Sequence, residues 1–187
     1  MKAGIRQKII ARRNSLTHES VMEKSAVIQK SILELPIYRE SKTIGFYASF
    51  NNEVSTSTIF DKALEDGKKV LFPCIRKADK ELAFLPVRGL DELELGPFGI
   101  MTPPCGEGKD DYIGEVDLLL IPGVSYDLKG GRIGYGGGFY DRTLHKLARL
   151  PFIVALAYEF QILDEVPMLP HDIRVNAVVT ERRVIFC

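Results

Sequence analysis

The stretch from Asp117 to Ile121, DLLLI, constrains the fold of this chain more than any other part of the sequence. A continuous apolar run bounded by turn residues predicts a strand covered on both faces, as in the interior of a parallel sheet. Phe152 to Ala157, FIVALA, predicts a second buried strand, and a helix is predicted between them from Tyr140 to Leu150. This alternation predicts an α/β fold of three layers, with helices on both faces of a mostly parallel sheet.

The same alternation continues along the rest of the chain. Two helices are predicted within residues 1–35, with Thr17 as the N-cap of the second and Pro36 ending it. Another helix is predicted from Thr56 to Glu65, stopped by Gly67. Runs rich in β-branched and aromatic residues predict shorter strands at Thr43 to Ala48, Lys69 to Cys74, Leu82 to Leu85, Ala177 to Thr180 and Arg183 to Phe186. We expect the 187 residues to form a single domain, 1–187.

The charges of the chain are balanced, since 25 Lys and Arg side chains are matched by 25 Asp and Glu side chains. This balance gives no reason to expect a nucleic-acid or membrane partner. The basic N-terminal residues are not followed by the apolar core of a secretory signal, and no apolar run is long enough to span a bilayer. We therefore expect a cytoplasmic protein.

The cysteines and histidines show no spacing typical of a metal site or a redox motif. Cys74, Cys105 and Cys187 lie far apart in the sequence, so we expect them to be reduced. The three histidines are equally scattered, which argues against a transition-metal site.

The segment from Gly130 to Asp141, GGRIGYGGGFYD, is the strongest candidate for a binding site. It follows a predicted buried strand and leads into a helix, which is where open α/β sheets bind their ligands. Glycines let successive backbone amides converge, and with the positive end of the helix they predict a phosphate site. Arg132 can add a planar cationic fork, whereas Asp141 suits a phosphate site only with a divalent cation between them, which suggests magnesium.

Two familiar glycine motifs do not fit this segment. It lacks the Gly-Lys followed by Ser or Thr of the P-loop, and Phe139 stands where the dinucleotide fingerprint requires its third glycine. A tight structural turn is the alternative interpretation. Glycine-dense loops at strand ends more often carry function than structure alone, so the binding interpretation is preferred.

A longer stretch, PGVSYDLKGGRIGYGGGFYDR from Pro122 to Arg142, resembles the signature of the 5-formyltetrahydrofolate cyclo-ligase family. The resemblance extends to Lys2 and Arg6, to Tyr47 through Glu53 followed by Thr56, to Pro97 through Ile100, and to His171-Asp172. It implies a fold similar to the ribose-phosphate isomerase and CoA-transferase group. The implied reaction is the ATP- and magnesium-dependent conversion of 5-formyltetrahydrofolate into 5,10-methenyltetrahydrofolate.

The resemblance also assigns site residues. Arg132 and Asp141 are expected to be catalytic, and magnesium is expected on Asp141 and Asp172. Folate is expected at Ala48, Glu53, Tyr135, Gly136, Gly137, Gly138 and Phe139. ATP is expected at Lys2, Arg6, Arg132, Ile133, Gly134, Tyr135, Gly136, Gly137, Gly138, Phe139 and Tyr140. The resemblance implies a folate as the small-molecule partner, and we expect a monomer.

Several alternatives stay open from the residues alone. A basic helix is more often a solvated face than a phosphate grip, and Lys8, Arg12 and Arg13 keep that interpretation. The chain could also be a non-catalytic sensor that binds a phosphorylated metabolite, or a kinase for another small acceptor. Whether the loop from Leu95 to Glu107 closes over the substrate is likewise left open.

Overall fold

The structure, a computed structural model, describes residues 2–76, 80–106 and 110–187. The α-helices in these residues are α1 (Lys2–Asn14), α2 (His18–Glu34), α3 (Pro36–Glu40), α4 (Ser57–Glu65) and α5 (Phe139–His145). The strands are β1 (Thr43–Gly45), β2 (Lys69–Arg76), β3 (Glu81–Pro86), β4 (Glu94–Leu95), β5 (Met101–Thr102), β6 (Leu118–Ile121), β7 (Ser125–Asp127), β8 (Arg132–Ile133), β9 (Phe152–Leu156), β10 (Ile162–Leu163), β11 (Ala177–Val179) and β12 (Val184–Phe186).

A seven-stranded sheet in the order β12-β11-β9-β6-β1-β2-β3 forms the centre of the protein. The five inner strands, from β11 to β2, pair in parallel, and the two edge strands pair antiparallel with their neighbours. Strand β6 lies in the middle, with Leu118 opposite Phe152 on one side and Ile44 on the other. The prediction of a central, doubly covered strand from its apolar run is therefore confirmed.

Alternate side chains of β6 enter two different cores. Leu118 and Leu120 pack in the cluster that contains Ile28 and Ile32 of α2, together with residues of α4. Leu119 and Ile121 pack on the opposite face, in the cluster that contains residues of α5 and β7. Helices thus cover both faces of the sheet, which confirms the three-layer α/β prediction.

The helix boundaries follow local signals in the sequence. The Thr17 hydroxyl accepts a hydrogen bond from the Ser20 amide at 3.2 Å, as predicted for the N-cap of α2. Pro36 follows the end of α2 and also begins α3 as its first residue, where a missing N–H costs nothing. Helix α5 ends at His145, five residues before the predicted end, and the chain then turns toward Pro151 and β9.

A small sheet in the order β10-β7-β8 lies beside the main one, and the sequence did not predict it. Its β7–β8 turn uses Gly130 at φ +77° and the Asp127 carboxylate, which accepts a hydrogen bond from the Gly131 amide at 2.8 Å. These two glycines therefore serve the turn. The predicted binding segment began at Gly130, whereas the part of it that lines the cavity begins at Arg132.

The cysteine prediction is wrong for two of the three residues. Cys74 on β2 and Cys105 in the loop after β5 form a disulfide, with their Cα atoms 5.7 Å apart. A separation of 31 residues matches no cysteine motif, so only the folded chain reveals the pair. Cys187 is free and exposed.

In the part of the chain that the structure describes, none of the helices combines the length and apolar character needed to cross a membrane.

Candidate active site

A cavity of about 800 Å³ opens at the carboxyl ends of β1, β2 and β6. This is the edge at which open α/β sheets bind ligands. The cavity brings together all residues that were predicted for the site: Lys2, Arg6, Ala48, Glu53, Arg132, Ile133, Gly134, Tyr135, Gly136, Gly137, Gly138, Phe139, Tyr140, Asp141 and Asp172. Residues from both ends of the chain and from its middle thus share one surface.

The loop from Gly134 to Gly138 lines one wall of the cavity. Among the described residues, no backbone or side-chain oxygen accepts a hydrogen bond from the amides of residues 134–138. Gly136 at φ +104° and Gly138 at φ +64° adopt conformations that other residues rarely reach. Arg142 holds the loop by donating to the Gly137 carbonyl at 2.7 Å. The amides of these five residues are therefore not used as donors within the described part of the chain.

Arg132 and Asp141 form an ion pair beside this loop. One terminal nitrogen of Arg132 lies 3.2 and 3.1 Å from the two carboxylate oxygens of Asp141. Asp141 also accepts a hydrogen bond from the Ile173 amide at 3.0 Å, and Arg132 donates to the Pro122 carbonyl at 3.4 Å. The carboxylate thus links the start of α5 to the segment that contains Asp172.

Lys2 and Asp172 form a second ion pair, with the lysine nitrogen 2.6 Å from a carboxylate oxygen. Partial burial raises the pKa of Asp172, but hydrogen bonds from Lys2 and from the Leu169 amide outweigh it and hold that pKa below its usual value. Each predicted metal-binding carboxylate is therefore paired with a predicted phosphate-binding cation.

One face of α1 supplies cations to the cavity region at helical spacing. Lys2 reaches Asp172, and Arg6 donates to the Gly134 carbonyl at 2.7 Å. Arg13 lies on the same face two turns beyond Arg6, with Ile9 buried between them. Arg13 is only 1% exposed, so the prediction that it belongs to a solvated face is wrong.

Arg13 is the residue that the sequence analysis missed. Its partners come from other parts of the chain, and the basic cluster was judged by its charge alone. The spacing from Lys2 through Arg6 to Arg13 would have indicated a common face, and Ile9 marks that face as buried. Lys8 and Arg12 are exposed, as predicted.

Glu53 is a buried carboxyl group at the cavity wall, 6% exposed. It accepts hydrogen bonds from the Tyr135 hydroxyl and from the Phe50 amide, the latter at 3.2 Å. Burial raises the pKa of Glu53 to about 7, although Tyr135, Arg13 and the Phe50 amide act in the opposite direction. A pKa so far above the ordinary value is typical of a functional site.

The remaining walls are largely apolar and aromatic. The rings of Phe98 and Phe139 meet edge to face with centroids 6.2 Å apart, and the rings of Phe50 and Tyr135 lie 5.4 Å apart. Phe98 is 74% exposed and stands at φ +62°, in a loop whose neighbouring residues also line the cavity. Flat apolar walls of this kind suit an aromatic ligand.

Among the described residues, this cavity contains no preformed cluster of metal ligands. Within residues 2–76, 80–106 and 110–187, no three acidic, histidine or cysteine side chains converge as metal ligands. Magnesium, however, commonly binds through one or two carboxylates and takes its other ligands from water and substrate phosphates. Asp141 and Asp172 fit that requirement, because both line the cavity and are joined through the Ile173 amide.

The open parallel sheet and the large cavity at its carboxyl edge define the class as an α/β enzyme that acts on a small molecule. Comparison with known proteins identifies the family. Residues 1–181 match the model of the 5-formyltetrahydrofolate cyclo-ligase family. The chain belongs to this family.

Individual members of the family match this chain over most of their own length. The chain is 32% identical to the 5-formyltetrahydrofolate cyclo-ligase of Mycolicibacterium smegmatis, with 97% of this chain and 94% of the relative covered. It is 33% identical to the Haemophilus influenzae enzyme of the same name, with 90% and 91% covered. The solved structure of Aquifex aeolicus 5,10-methenyltetrahydrofolate synthetase superimposes with a TM-score of 0.85 at 31% identity, covering 99% of this chain and 92% of that one.

Proposed function

We propose that the cavity converts 5-formyltetrahydrofolate into 5,10-methenyltetrahydrofolate and uses ATP to drive the reaction. Family membership supports this reaction. The structural observation that carries it is the row of free amides at residues 134–138, which lies between basic side chains and the buried carboxyl of Glu53 in one cavity. A ligand pair with a polyanion at one end and a flat heterocycle at the other fits this arrangement.

The nucleotide end is formed by Lys2, Arg6, Arg132 and the glycine loop. Phosphates would accept hydrogen bonds from the loop amides and compete for the cations now paired with carboxylates. Lys2 and Arg132 would then exchange Asp172 and Asp141 for phosphate oxygens. The two released carboxylates would hold magnesium, which supplies positive charge against the phosphates.

The folate end is formed by Ala48, Glu53 and the side of the loop from Tyr135 to Phe139. Each carboxylate oxygen can accept two hydrogen bonds, so Glu53 retains capacity to bind polar N–H groups of the pterin. Phe98, Phe139 and Tyr140 offer apolar walls for its flat ring.

The chemistry explains the need for a nucleotide. The formyl group on N5 is an amide, and amide resonance makes its carbon a poor electrophile. Transfer of the γ-phosphoryl group of ATP to the formyl oxygen forms a C–O–P linkage and releases ADP. N10 then attacks that carbon and loses its proton, the C–O bond breaks, inorganic phosphate departs, and the five-membered ring closes.

The protein contributes positioning and charge to these steps. Phosphoryl transfer relies chiefly on donors and cations that are already oriented, which the loop amides, Arg6 and Arg132 provide. The scheme requires no protein nucleophile. Glu53 fixes the orientation of the pterin, and the apolar walls exclude water from the activated formyl group.

The direct test mixes purified protein with ATP, magnesium and 5-formyltetrahydrofolate and follows the ultraviolet absorbance of the methenyl product. ATP-dependent product with ADP release in equal amount supports the proposal. Binding of ATP without turnover would indicate a sensor instead. ADP release that depends on a different acceptor and not on folate would indicate another kinase.

A further inference from the structure

Arg13 is a buried cation directly behind the folate end of the cavity. Its side chain is 1% exposed, and the side chain of Glu53 beside it is 4% exposed. A buried guanidinium is tolerated only where hydrogen bonds and an opposite charge replace its hydration. Arg13 has both.

The three groups form a closed triangle. Arg13 donates to the Tyr135 hydroxyl at 2.5 Å, the Tyr135 hydroxyl donates to Glu53, and a second Arg13 nitrogen lies 3.7 Å from the same Glu53 oxygen. Arginine has no acceptor, so the Tyr135 oxygen must accept from it. The single hydroxyl proton of Tyr135 is thereby directed to Glu53. Arg13 thus sets both the position of the Tyr135 hydroxyl and the direction of its hydrogen bond to Glu53.

Arg13 also fixes the loop that carries Glu53. Its Nε donates to the Asn51 carbonyl at 2.9 Å, and the Asn52 side chain donates back to the Arg13 carbonyl at 3.2 Å. Asn51 and Asn52 both have positive φ, at 47° and 57°, so the loop turns sharply at the point that Arg13 holds. One hydrogen bond is thus donated from α1 to the loop and one from the loop to α1.

The same helix fixes the neighbouring residue of the glycine loop. Arg6 donates to the Gly134 carbonyl, and Arg13 reaches the side chain of the next residue, Tyr135. Two arginines on one face of α1 therefore hold two consecutive residues at the junction of the nucleotide and folate ends.

We propose that Arg13 is a positioning residue for the folate, which holds the Glu53 carboxylate and the Tyr135 ring in their binding orientation without itself lining the cavity. The inference rests on the proposed function, because it assumes that Glu53 and Tyr135 contact folate. It predicts that Arg13 affects the folate and leaves the nucleotide end intact, since Lys2 and Arg6 keep their own contacts.

The test measures kcat and both KM values for Arg13→Met, Arg13→Lys and Tyr135→Phe. Arg13→Met should raise KM for 5-formyltetrahydrofolate roughly ten-fold or more, and KM for ATP by less than about two-fold. Arg13→Lys should recover part of the loss, because it keeps the charge near Glu53 but cannot reach Asn51 and Tyr135 with one planar fork. If Arg13 acts through Tyr135, the Arg13→Met, Tyr135→Phe double variant should be little worse than the more affected single variant.

Arg12→Gln is the matched control, because Arg12 is an exposed arginine on the same helix, stacked 4.5 Å from the centroid of Phe160. It should keep wild-type constants. Equal increases in KM for ATP and folate in Arg13→Met would mean a general loss of α1 packing and would overturn the inference. If Arg13→Met does not fold, Tyr135→Phe decides, since that residue is 40% exposed and its ring is retained; an unchanged folate KM overturns the inference.

The two proposals fail differently. An inactive wild-type protein overturns the proposed function and this inference with it. An active wild-type protein whose Arg13 variants keep the wild-type folate KM overturns only the role of Arg13.

Discussion

A single guanidinium nitrogen of Arg132 lies within 3.2 Å of both carboxylate oxygens of Asp141. The pair sits where the glycine loop enters α5, and the same carboxylate holds the Ile173 amide. Arg132, which is suited to bind phosphate, thus neutralises Asp141, which is suited to bind a metal cation. Lys2 and Asp172 repeat this relationship at 2.6 Å. In the proposed function, phosphate oxygens would replace the carboxylates as partners of Lys2 and Arg132. Magnesium would replace the two cations as the partner of Asp141 and Asp172.

Asp141→Asn should remove this exchange and lower kcat about 10²- to 10³-fold, a loss of the size seen when one preorganised electrostatic group is removed. The amide cannot supply the negative charge that a cation requires. The fold should be retained at reduced stability, because the Arg132 side chain, 6% exposed, loses its opposite charge but keeps the Pro122 carbonyl and the Tyr140 ring at 5.7 Å. The measurement is methenyl absorbance across a magnesium titration, with circular dichroism to check folding.

Asp164→Asn provides the comparison, since Asp164 is exposed and lies outside the cavity. Its turnover should equal that of the wild type. Wild-type turnover in Asp141→Asn would remove Asp141 from the mechanism.

Much of the fold was predictable because its signals are local. The apolar run Leu118–Ile121 lies at the centre of the sheet, and Thr17 caps α2 as expected. The two-residue strands of the small sheets could not be predicted, since pairing partners rather than their own sequence define them. Helix α5 was overpredicted because a short apolar pattern does not show where the chain must leave the helix to reach β9.

The site was predictable to a similar extent. The glycine loop could be located from its composition and its position after β6, and the family signature added the distant residues Lys2, Glu53 and Asp172. Arg13 could not be assigned from its charge, because the partners that bury it, Asn51 and Tyr135, lie far away in the chain.

Glu53 should make the stability of the wild-type protein fall as pH rises. Burial raises its folded pKa to about 7, against an ordinary value of 4.5. Between those values the folded protein holds a proton that the unfolded chain has lost, so the free energy of unfolding decreases with pH, by up to about 3 kcal/mol. Glu53→Gln lacks this dependence.

Urea unfolding at about pH 4.5 and about pH 8 measures the effect. Relative to the wild type, Glu53→Gln should become more stable as the pH rises, because groups that titrate in both proteins cancel in the difference. The same pH dependence in both proteins would show that Glu53 titrates in its ordinary range.

The disulfide should stabilise the fold by closing a long loop in the unfolded chain. Cys74 and Cys105 are 31 residues apart, for which loop-closure entropy predicts about 4 kcal/mol. Cys105→Ser should therefore unfold at a lower denaturant concentration than the wild type, and the two should converge in reductant. Cys187→Ser is the control, since this free cysteine is exposed and should leave the midpoint unchanged. Identical midpoints for Cys105→Ser and the wild type without reductant would contradict the prediction.

Gly136→Ala should weaken ATP binding by acting on the backbone. The nearest atoms to a Cβ at this position would be those of the Arg6 guanidinium, at 3.6 Å or more, which is ordinary contact. The φ of +104°, however, is a conformation that residues with a side chain rarely adopt, at a cost of roughly 1–2 kcal/mol or more. The loop should relax to a conformation in which the amides of residues 134–138 no longer converge. Calorimetry with a non-hydrolysable ATP analogue should show Kd rising roughly ten-fold or more.

Gly114→Ala separates this effect from the general cost of removing a glycine. Gly114 has open space around the position of its Cβ and lies in the Ile113–Glu115 turn away from the cavity, without a positive φ. Its substitution should leave ATP affinity unchanged. If Gly136→Ala binds the analogue as tightly as Gly114→Ala, the shape of the loop is not what holds the nucleotide, and the cations of α1 and Arg132 would have to supply the affinity alone.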